Sequence, residues 1–135
     1  MSFHWPVRVY WEDTDAGGVV YYANYLRFLE RARTEALREA GLDQSALREA
    51  TGVVMVVSNI DVDFKAPARL DDELVVTVDL AGRRAASFTM TQEIRRVADD
   101  ALLINARVEA ACLDGERWRP CRFPPLLAEA LDRLT

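Results

Sequence analysis

The chain has 135 residues, of which 50% are hydrophobic and 29% charged, and its formal net charge is −5. This length predicts one domain over residues 1–135, with a core that needs no metal or disulfide for its stability. The composition argues against a disordered chain, and the negative charge argues against a nucleic-acid-binding surface. No apolar stretch approaches the roughly 20 residues of a membrane span, so we expect no stable membrane insertion.

The N-terminus lacks the basic and apolar segments of a secretory signal, and we expect the protein in the cytoplasm. Two cysteines, Cys112 and Cys121, form neither a CxxC motif nor part of a His-rich cluster. A zinc site is therefore not expected, and the pair is interpreted as reduced thiols.

The first elements in chain order are a short strand, a polar loop and a long helix. Alternation predicts a strand over Trp5–Trp11, and the glycine-bearing segment Asp13–Gly18 predicts a loop. Apolar residues at helical spacing then predict a helix over Tyr22–Ala40, closed by Gly41 in a left-handed conformation. The apolar stripe of this helix comprises Tyr22, Tyr25, Leu26, Leu29, Ala32, Ala36, Leu37 and Ala40. Asp43 is placed to cap one or two further helical turns, up to Ala50.

From Val53 onward the apolar period changes from helical to alternating. Four strands follow, and the alternating apolar series of these strands begin at Ile60, Leu74, Phe88 and Leu102 in turn. Pro67 ends the first of these strands because proline cannot donate to the ladder. Short turns between consecutive strands predict antiparallel neighbours, and Phe123–Leu134 predicts a short C-terminal helix. The apolar helix stripe needs cover, so the sequence predicts an α+β fold in which a curved antiparallel sheet of about five strands wraps round one long helix.

Unusual features cluster just before the long helix. Three carboxylates, Glu12, Asp13 and Asp15, precede the glycine pair Gly17 and Gly18. A helix N-terminus offers unpaired N–H groups to an oxygen that develops negative charge, and a nearby carboxylate can attack a carbonyl or activate water. The same residues also suit an ordinary tight turn with a helix cap, and clustered carboxylates can bind a metal ion. From the pattern alone, the turn is the favoured interpretation.

The loop and two neighbouring blocks resemble a known enzyme family. The stretch Val9-Tyr10-Trp11-Glu12-Asp13-Thr14-Asp15-Ala16-Gly17-Gly18-Val19-Val20-Tyr21-Tyr22-Ala23-Asn24-Tyr25, followed by Glu30-Arg31-Ala32-Arg33-Thr34-Glu35, is similar to the signature of the 4-hydroxybenzoyl-CoA thioesterase family. More narrowly, it resembles the acyl-CoA thioesterases associated with the Tol-Pal gene cluster of Gram-negative bacteria, whose second block is matched by Ala66-Pro67-Ala68-Arg69-Leu70-Asp71-Asp72. The resemblance extends from Trp5 to the C-terminal helix.

The resemblance implies a hotdog fold and the hydrolysis of acyl-CoA thioesters without a cofactor or metal. It implies that Asp15 is the catalytic carboxylate and that backbone N–H groups near Tyr22 polarise the carbonyl. Gly18, Val19 and Tyr25 are candidate substrate-binding residues. The implied assembly is a homo-oligomer, a hotdog dimer or a homotetramer of such dimers. Acyl carrier protein or enzymes of phospholipid synthesis are further partners that the resemblance suggests.

One position departs from the Tol-Pal subgroup, which usually has His where this chain has Tyr22. The only histidine is His4, which we interpret as a surface residue near the terminus. A thiolate with a pKa of roughly 8.5 leaves readily, so the reaction needs carbonyl polarisation and a carboxylate more than a strong acid. The missing histidine also disfavours a hotdog hydratase.

Arginines are the natural contacts for the phosphates of CoA. Arg83 and Arg84, adjacent in a predicted turn, are the first candidates, followed by Arg95–Arg96, Lys65 and Arg69. Acyl groups of short to medium length are expected, with aryl-CoA as an alternative. A non-catalytic hotdog protein that binds the envelope or phospholipid-synthesis machinery is the alternative from another class.

Overall fold

A computed structural model describes residues 2–134 as a sheet and three α-helices. A short 3-10 turn, Trp11–Asp13, follows the first strand. The elements are β1 Phe3–Arg8, α1 Asn24–Glu39, α2 Gln44–Thr51, β2 Val53–Phe64, β3 Glu73–Arg83, β4 Ser87–Arg96, β5 Leu102–Asp114, β6 Arg119–Pro120 and α3 Pro125–Arg133. The predicted α+β class is confirmed, with five long strands, the two-residue β6 and a short C-terminal helix.

The five long strands have the order β1-β3-β4-β5-β2, all pairs are antiparallel, and β6 pairs with β5. Pairing of β3 with β4 and of β4 with β5 is as predicted. The prediction that β2 neighbours β3 is wrong, because β2 pairs with β5 at the far edge. Segment 65–72 is a crossover whose backbone bonds Val9, Val20 and Leu103, so it cannot serve as a tight turn.

The concave face of the sheet covers α1. The helix begins at Asn24, two residues later than predicted, and Tyr22 is 63% exposed. Within the predicted stripe Leu26 is also exposed, whereas Phe28, which the stripe omitted, is fully buried. The later start removes Tyr22 from the helical face. The remaining stripe residues are buried as predicted: Tyr25, Leu29, Ala32, Ala36, Leu37 and Ala40.

One polar contact joins α1 to the sheet within the core. The buried Gln92 of β4 donates from Nε2 to the Leu29 carbonyl at 3.1 Å and accepts from Arg33 Nη1 at 3.0 Å. Burial lowers the pKa of Arg33, an effect that Glu30 opposes. Because both ends of the Gln92 amide are bonded, this contact fixes the position of α1 along β4.

The helix boundaries at α2 follow the predicted chemistry. Gly41 has a φ of 94°, and Asp43 accepts from the Ala46 N–H at 3.1 Å as the cap of α2. The first strand is earlier than predicted: β1 ends at Arg8, and Trp11 lies in the 3-10 turn with 80% of its surface exposed. Val9 is fully buried, and its N–H and C=O bond Asp72 and Asp71 instead of continuing the ladder.

Cys112 and Cys121 are free thiols with their Sγ atoms 3.6 Å apart. A disulfide requires about 2.05 Å, so the pair is not bonded. Among residues 2–134, no helix is long and apolar enough to cross a membrane.

Candidate active site

The Asp15 carboxylate is held on an exposed turn. Its Oδ1 accepts a hydrogen bond from the Gly17 N–H at 2.8 Å, and its carbonyl accepts from the Gly18 N–H at 3.0 Å. Gly18 has a φ of 77°, which suits glycine, and a Cβ on Gly17 would lie 3.1 Å from Asp15 Oδ1. Within residues 2–134, Oδ2 accepts no hydrogen bond. The turn therefore orients the carboxylate and leaves one oxygen available.

Asp13, two residues earlier, has the opposite environment. It is buried, Oδ2 accepts from the Tyr10 N–H at 2.8 Å, and Oδ1 accepts from Asn24 Nδ2 at 2.7 Å. Asp13 thus ties the 3-10 turn to the first residue of α1. The sequence did not separate the two aspartates, because the contact of Asp13 with Asn24 has no local signal in the sequence.

The start of α1 offers free backbone donors beside this loop. Asn24 N–H bonds the Tyr21 carbonyl at 2.8 Å, while the N–H groups of Tyr22 and Ala23 have no acceptor among the described residues. No side chain caps this helix start. The donors are consequently available to a ligand oxygen, in the region of the positive end of the helix dipole.

Aromatic side chains line a cleft beside these donors. The Tyr22 ring lies 4.9 Å from Tyr21 and 6.2 Å from Phe64, and Tyr25 lies 6.0 Å from Phe64, all between ring centroids. Val20, Lys65, Ala66 and Pro67 complete the lining. The Tyr22 hydroxyl raises the pKa of Tyr21, and the charge of Asp15 adds a smaller increase. The charge of Asp15 therefore acts on Tyr21, beside the cleft.

Segment 66–72, which is the second family-like block, packs against the loop and supports it. The Val20 N–H donates to the Ala68 carbonyl at 2.9 Å, and Val19 forms a backbone bridge with Arg69. Arg96 fixes the segment through Asp72 at 3.2 Å and the Pro67 carbonyl at 2.7 Å. Among the predicted site residues, the structure thus brings Asp15, Gly18, Val19, Tyr22 and Tyr25 together.

Arg83 and Arg84 lie elsewhere. Phe64 of the cleft is in one row of the sheet with Ile94, whereas Arg83 is in a row with Phe88. Phe88 and Ile94 are six residues apart on β4, a distance of about 20 Å. We name these two regions the Asp15 end and the Arg83 end of the sheet. Arg83 binds Asp132 and the Ala128 carbonyl of α3, whereas the Arg84 guanidinium has no hydrogen bond to a described residue.

Two other sequence candidates have plain outcomes. His4 is exposed on β1, opposite Thr77, so its interpretation as a surface residue is confirmed. Among the described residues, no group of three or more His, Cys, Asp or Glu side chains is arranged to hold a metal ion.

Comparison of the sequence with known proteins assigns the chain to a family. The profile of the Thioesterase-like superfamily matches residues 9–131. The chain belongs to the thioesterase-like superfamily. It is 48% identical over 122 residues to Acyl-CoA thioester hydrolase YbgC from Escherichia coli O6:H1, with 90% of both chains covered. It is 41% identical to Acyl-CoA thioesterase YbgC from Haemophilus influenzae, with 98% of this chain and 96% of the relative covered.

Solved structures of thioesterases share the fold of this thioesterase-like chain. A 1,4-dihydroxy-2-naphthoyl-CoA thioesterase from Synechocystis superposes with a TM-score of 0.92 at 25% identity, covering 99% of this chain and 98% of the other. A 4-hydroxybenzoyl CoA thioesterase mutant in complex with 4-hydroxybenzoyl CoA gives 0.89 at 25% identity, covering 96% and 98%. The predicted hotdog fold and family resemblance are confirmed, and the protein is an enzyme of the thioesterase class.

Proposed function

We propose that this protein hydrolyses acyl-CoA thioesters to a free acid and CoA, with Asp15 as the reacting carboxylate. The observation that carries the proposal is that one loop carries both the oriented Asp15 carboxylate, with its free Oδ2, and the unpaired N–H groups at the start of α1. The names of the relatives that cover 90% or more of the chain support the same substrate class.

The reaction needs two groups, and the loop offers both. The Tyr22 N–H donates to the thioester oxygen, where negative charge develops as the carbonyl carbon is attacked. Asp15 either attacks that carbon, forming a mixed anhydride that water cleaves, or removes a proton from the attacking water. In both routes the C–S bond breaks and CoA leaves as a thiolate, which is then protonated. No imidazole is required, in keeping with Tyr22 at the position where the subgroup usually has histidine.

The side chains that line the aromatic cleft indicate which kind of acyl group the site accepts. The apolar side chains of Val20, Ala66 and Pro67 in the cleft support an acyl chain of short to medium length as the first candidate. The rings of Tyr22, Tyr25 and Phe64 support a second candidate, an aryl-CoA substrate, because aromatic rings pack in tilted and edge-to-face arrangements like those already present. Rates of thiol release from matched acyl- and aryl-CoA series would distinguish the two candidates.

For the phosphates of CoA, Lys65 and Arg69 are candidates within one protomer. Lys65 lines the mouth of the cleft, and Arg69 is bridged to Val19 through its backbone. Arg83 and Arg84 can contribute only if a second copy brings them near. The outer edge of β2 has no strand partner among residues 2–134, and such an edge pairs readily.

A two-fold pairing of β2 with its copy supports that arrangement. Antiparallel pairing would bring the Phe64 end of one β2 towards the Val53 end of the other, and Val57, in that half of β2, lies in the row of Arg83. We therefore propose a dimer, or a tetramer of dimers, as the active form. Light scattering of the purified protein tests the assembly, and a fully active monomer would contradict it. The Tol-Pal association, the cytoplasmic location and the protein partners stay predictions.

The decisive experiment compares Asp15→Asn with Glu12→Gln. Each variant removes one negative charge from an exposed side chain of the same segment. We expect Asp15→Asn to lower kcat by at least roughly 100-fold with an unchanged thermal midpoint, and Glu12→Gln to retain the wild-type rate. Free-thiol release from an acyl-CoA series measures both. Full activity of Asp15→Asn would disprove the assignment of Asp15.

A further inference from the structure

Tyr25 differs from the other three tyrosines of the chain. Tyr10, Tyr21 and Tyr22 are at least 49% exposed, whereas Tyr25 is 3% exposed. Its ring packs against Phe28, with 6.2 Å between the centroids, and against Phe64 at 6.0 Å. Because a tyrosine side chain has only two rotatable angles, this packing fixes the place of the hydroxyl.

The Tyr25 hydroxyl begins a series of hydrogen bonds that ends at Asp15. Its Oη accepts from the Ala68 N–H at 2.9 Å, and the Ala68 carbonyl accepts from the Val20 N–H at 2.9 Å. The adjacent Val19 carbonyl accepts from the Asp15 N–H at 3.0 Å. Segment 66–70 therefore lies between α1, which carries Tyr25, and the turn that carries Asp15.

The two reacting groups of the site depend on different elements. The Tyr22 N–H is set by the start of α1, whereas the Asp15 carboxylate is set by the turn 15–18. A fixed distance and orientation between the Tyr22 N–H and the Asp15 carboxylate require a contact that joins the helix to the loop. Asp13 joins the beginning of the loop to Asn24, and Tyr25 joins its end through Ala68.

We propose that Tyr25 is a positioning residue, whose hydroxyl holds the Ala68 amide and thereby aligns the Asp15 carboxylate with the N–H donors of α1. The inference rests on the proposed function, because it assumes that Asp15 reacts. It assigns to the Tyr25 hydroxyl, as distinct from the ring that lines the cleft, an effect on the rate of the chemical step and not on substrate affinity.

The test is Tyr25→Phe, which keeps the buried ring and removes only the hydroxyl. We expect kcat to fall roughly 10- to 100-fold with KM changed by less than about twofold, since a small misplacement of a reacting group slows chemistry strongly. Tyr10→Phe is the matched control, because the Tyr10 side chain is exposed and lies outside this series of hydrogen bonds, and the variant should keep the wild-type kcat.

A double-mutant cycle separates positioning from a general structural effect. If Tyr25 acts through Asp15, adding Tyr25→Phe to Asp15→Asn should lower the residual single-turnover rate by less than about twofold. Hydrogen exchange should accelerate at residues 15–20 and 66–70 in Tyr25→Phe, while residues 29–39 of α1 keep their protection.

Three outcomes would overturn the inference: an unchanged kcat in Tyr25→Phe, a full rate loss repeated in the Asp15→Asn background, or unchanged exchange at residues 15–20. Failure of the proposed function has a separate signature, because Asp15→Asn alone would then remain fully active.

Discussion

The two ends of the sheet use polar side chains in different ways. At the Asp15 end, the buried groups Asp13, Asn24 and Tyr25 bond backbone or each other and hold a loop, and one carboxylate is left exposed on it. At the Arg83 end, exposed charges such as Arg83 and Asp132 hold α3, while the thiol of Cys112 is buried among apolar residues.

This difference indicates which end of the sheet can hold a reacting group in a fixed position. Buried hydrogen bonds are stronger than exposed ion pairs, which contribute little to stability in water. A loop fixed by buried bonds can therefore hold a reacting group to a fraction of an ångström, as catalysis requires. The Arg83 end lacks that support, so it suits long-range attraction of phosphate better than chemistry.

Among the variants that test this difference between the two ends, Asp13→Asn is expected to lose the most stability. The two oxygens of Asp13 face two donors, the Tyr10 N–H and Asn24 Nδ2, so an amide in either orientation sets its NH2 group against a donor. Losing a charge-assisted bond and leaving a buried donor unpaired costs about 1.5–3 kcal/mol of the free energy of unfolding. We expect kcat/KM to fall as well, because the loop loses its contact with α1.

Urea unfolding and thiol release measure the two consequences of Asp13→Asn. Asp15→Asn is the comparison, since its exposed side chain should change the free energy of unfolding by less than about 0.5 kcal/mol. If both variants unfold at the wild-type midpoint, Asp13 is not a structural carboxylate and the contrast between the aspartates fails.

The sequence predicted those parts of the molecule that depend on local pattern. Period and capping chemistry gave α1, the Asp43 cap and the alternating strands, whereas the choice of Asp15 from the family-like blocks stays a prediction. The place of β2 beside β5 was missed, because a crossover such as segment 65–72 differs from a turn only through long-range bonds to Val9 and Val20.

The different roles of Asp13, which is buried and structural, and Asp15, which is exposed, were missed for a related reason. Both aspartates lie in one polar loop, and only the contact of Asp13 with Asn24, eleven residues later, buries it. The bond from the Ala68 N–H to Tyr25 spans 43 residues and has no local signal either. Burial and long-range hydrogen bonds are properties of the assembled fold, so a single sequence does not reveal them.

A smaller effect is expected at the Arg83 end. Arg83→Gln breaks an exposed contact with α3 and should lower the free energy of unfolding by about 0.2–1 kcal/mol. Arg84→Gln breaks no hydrogen bond of the described chain, so its stability should be unchanged. If Arg84 of a second copy contacts CoA, the KM of the Arg84→Gln variant for acyl-CoA should be up to about tenfold higher than that of the wild type. Added salt should reduce this difference in KM between variant and wild type.

Arg119→Gln is the matched control for these arginines, because Arg119 is exposed on β6 and lies at the same end of the sheet. Acyl-CoA kinetics at low and high salt measure the effect on KM. An Arg84→Gln variant with the KM of Arg119→Gln would remove the Arg83 end from substrate binding.

The smallest functional effect is expected at the cysteines. Burial, with a contribution from Cys121, raises the pKa of Cys112 to about 12. Since the thiolate is the reactive form, an alkylating reagent at pH 8 should modify the half-buried Cys121 well before Cys112. Modified protein should keep its kcat, because the reagent acts at the end of the sheet remote from Asp15. Mass spectrometry of the labelled peptides tests the order, and equal labelling would contradict it.

The same raised pKa predicts how stability depends on pH. The folded state keeps Cys112 protonated up to about pH 12, whereas the unfolded thiol ionises near a pKa of roughly 8.5. The folded state therefore binds more protons between these values, and the free energy of unfolding must fall as the pH rises above about 8.5. A Cys112→Ala variant lacks this ionisation, so its unfolding free energy should fall less between pH 8 and pH 10. Equal slopes would mean that Cys112 is not protected from water, and that the Arg83 end is more open than its buried thiol indicates.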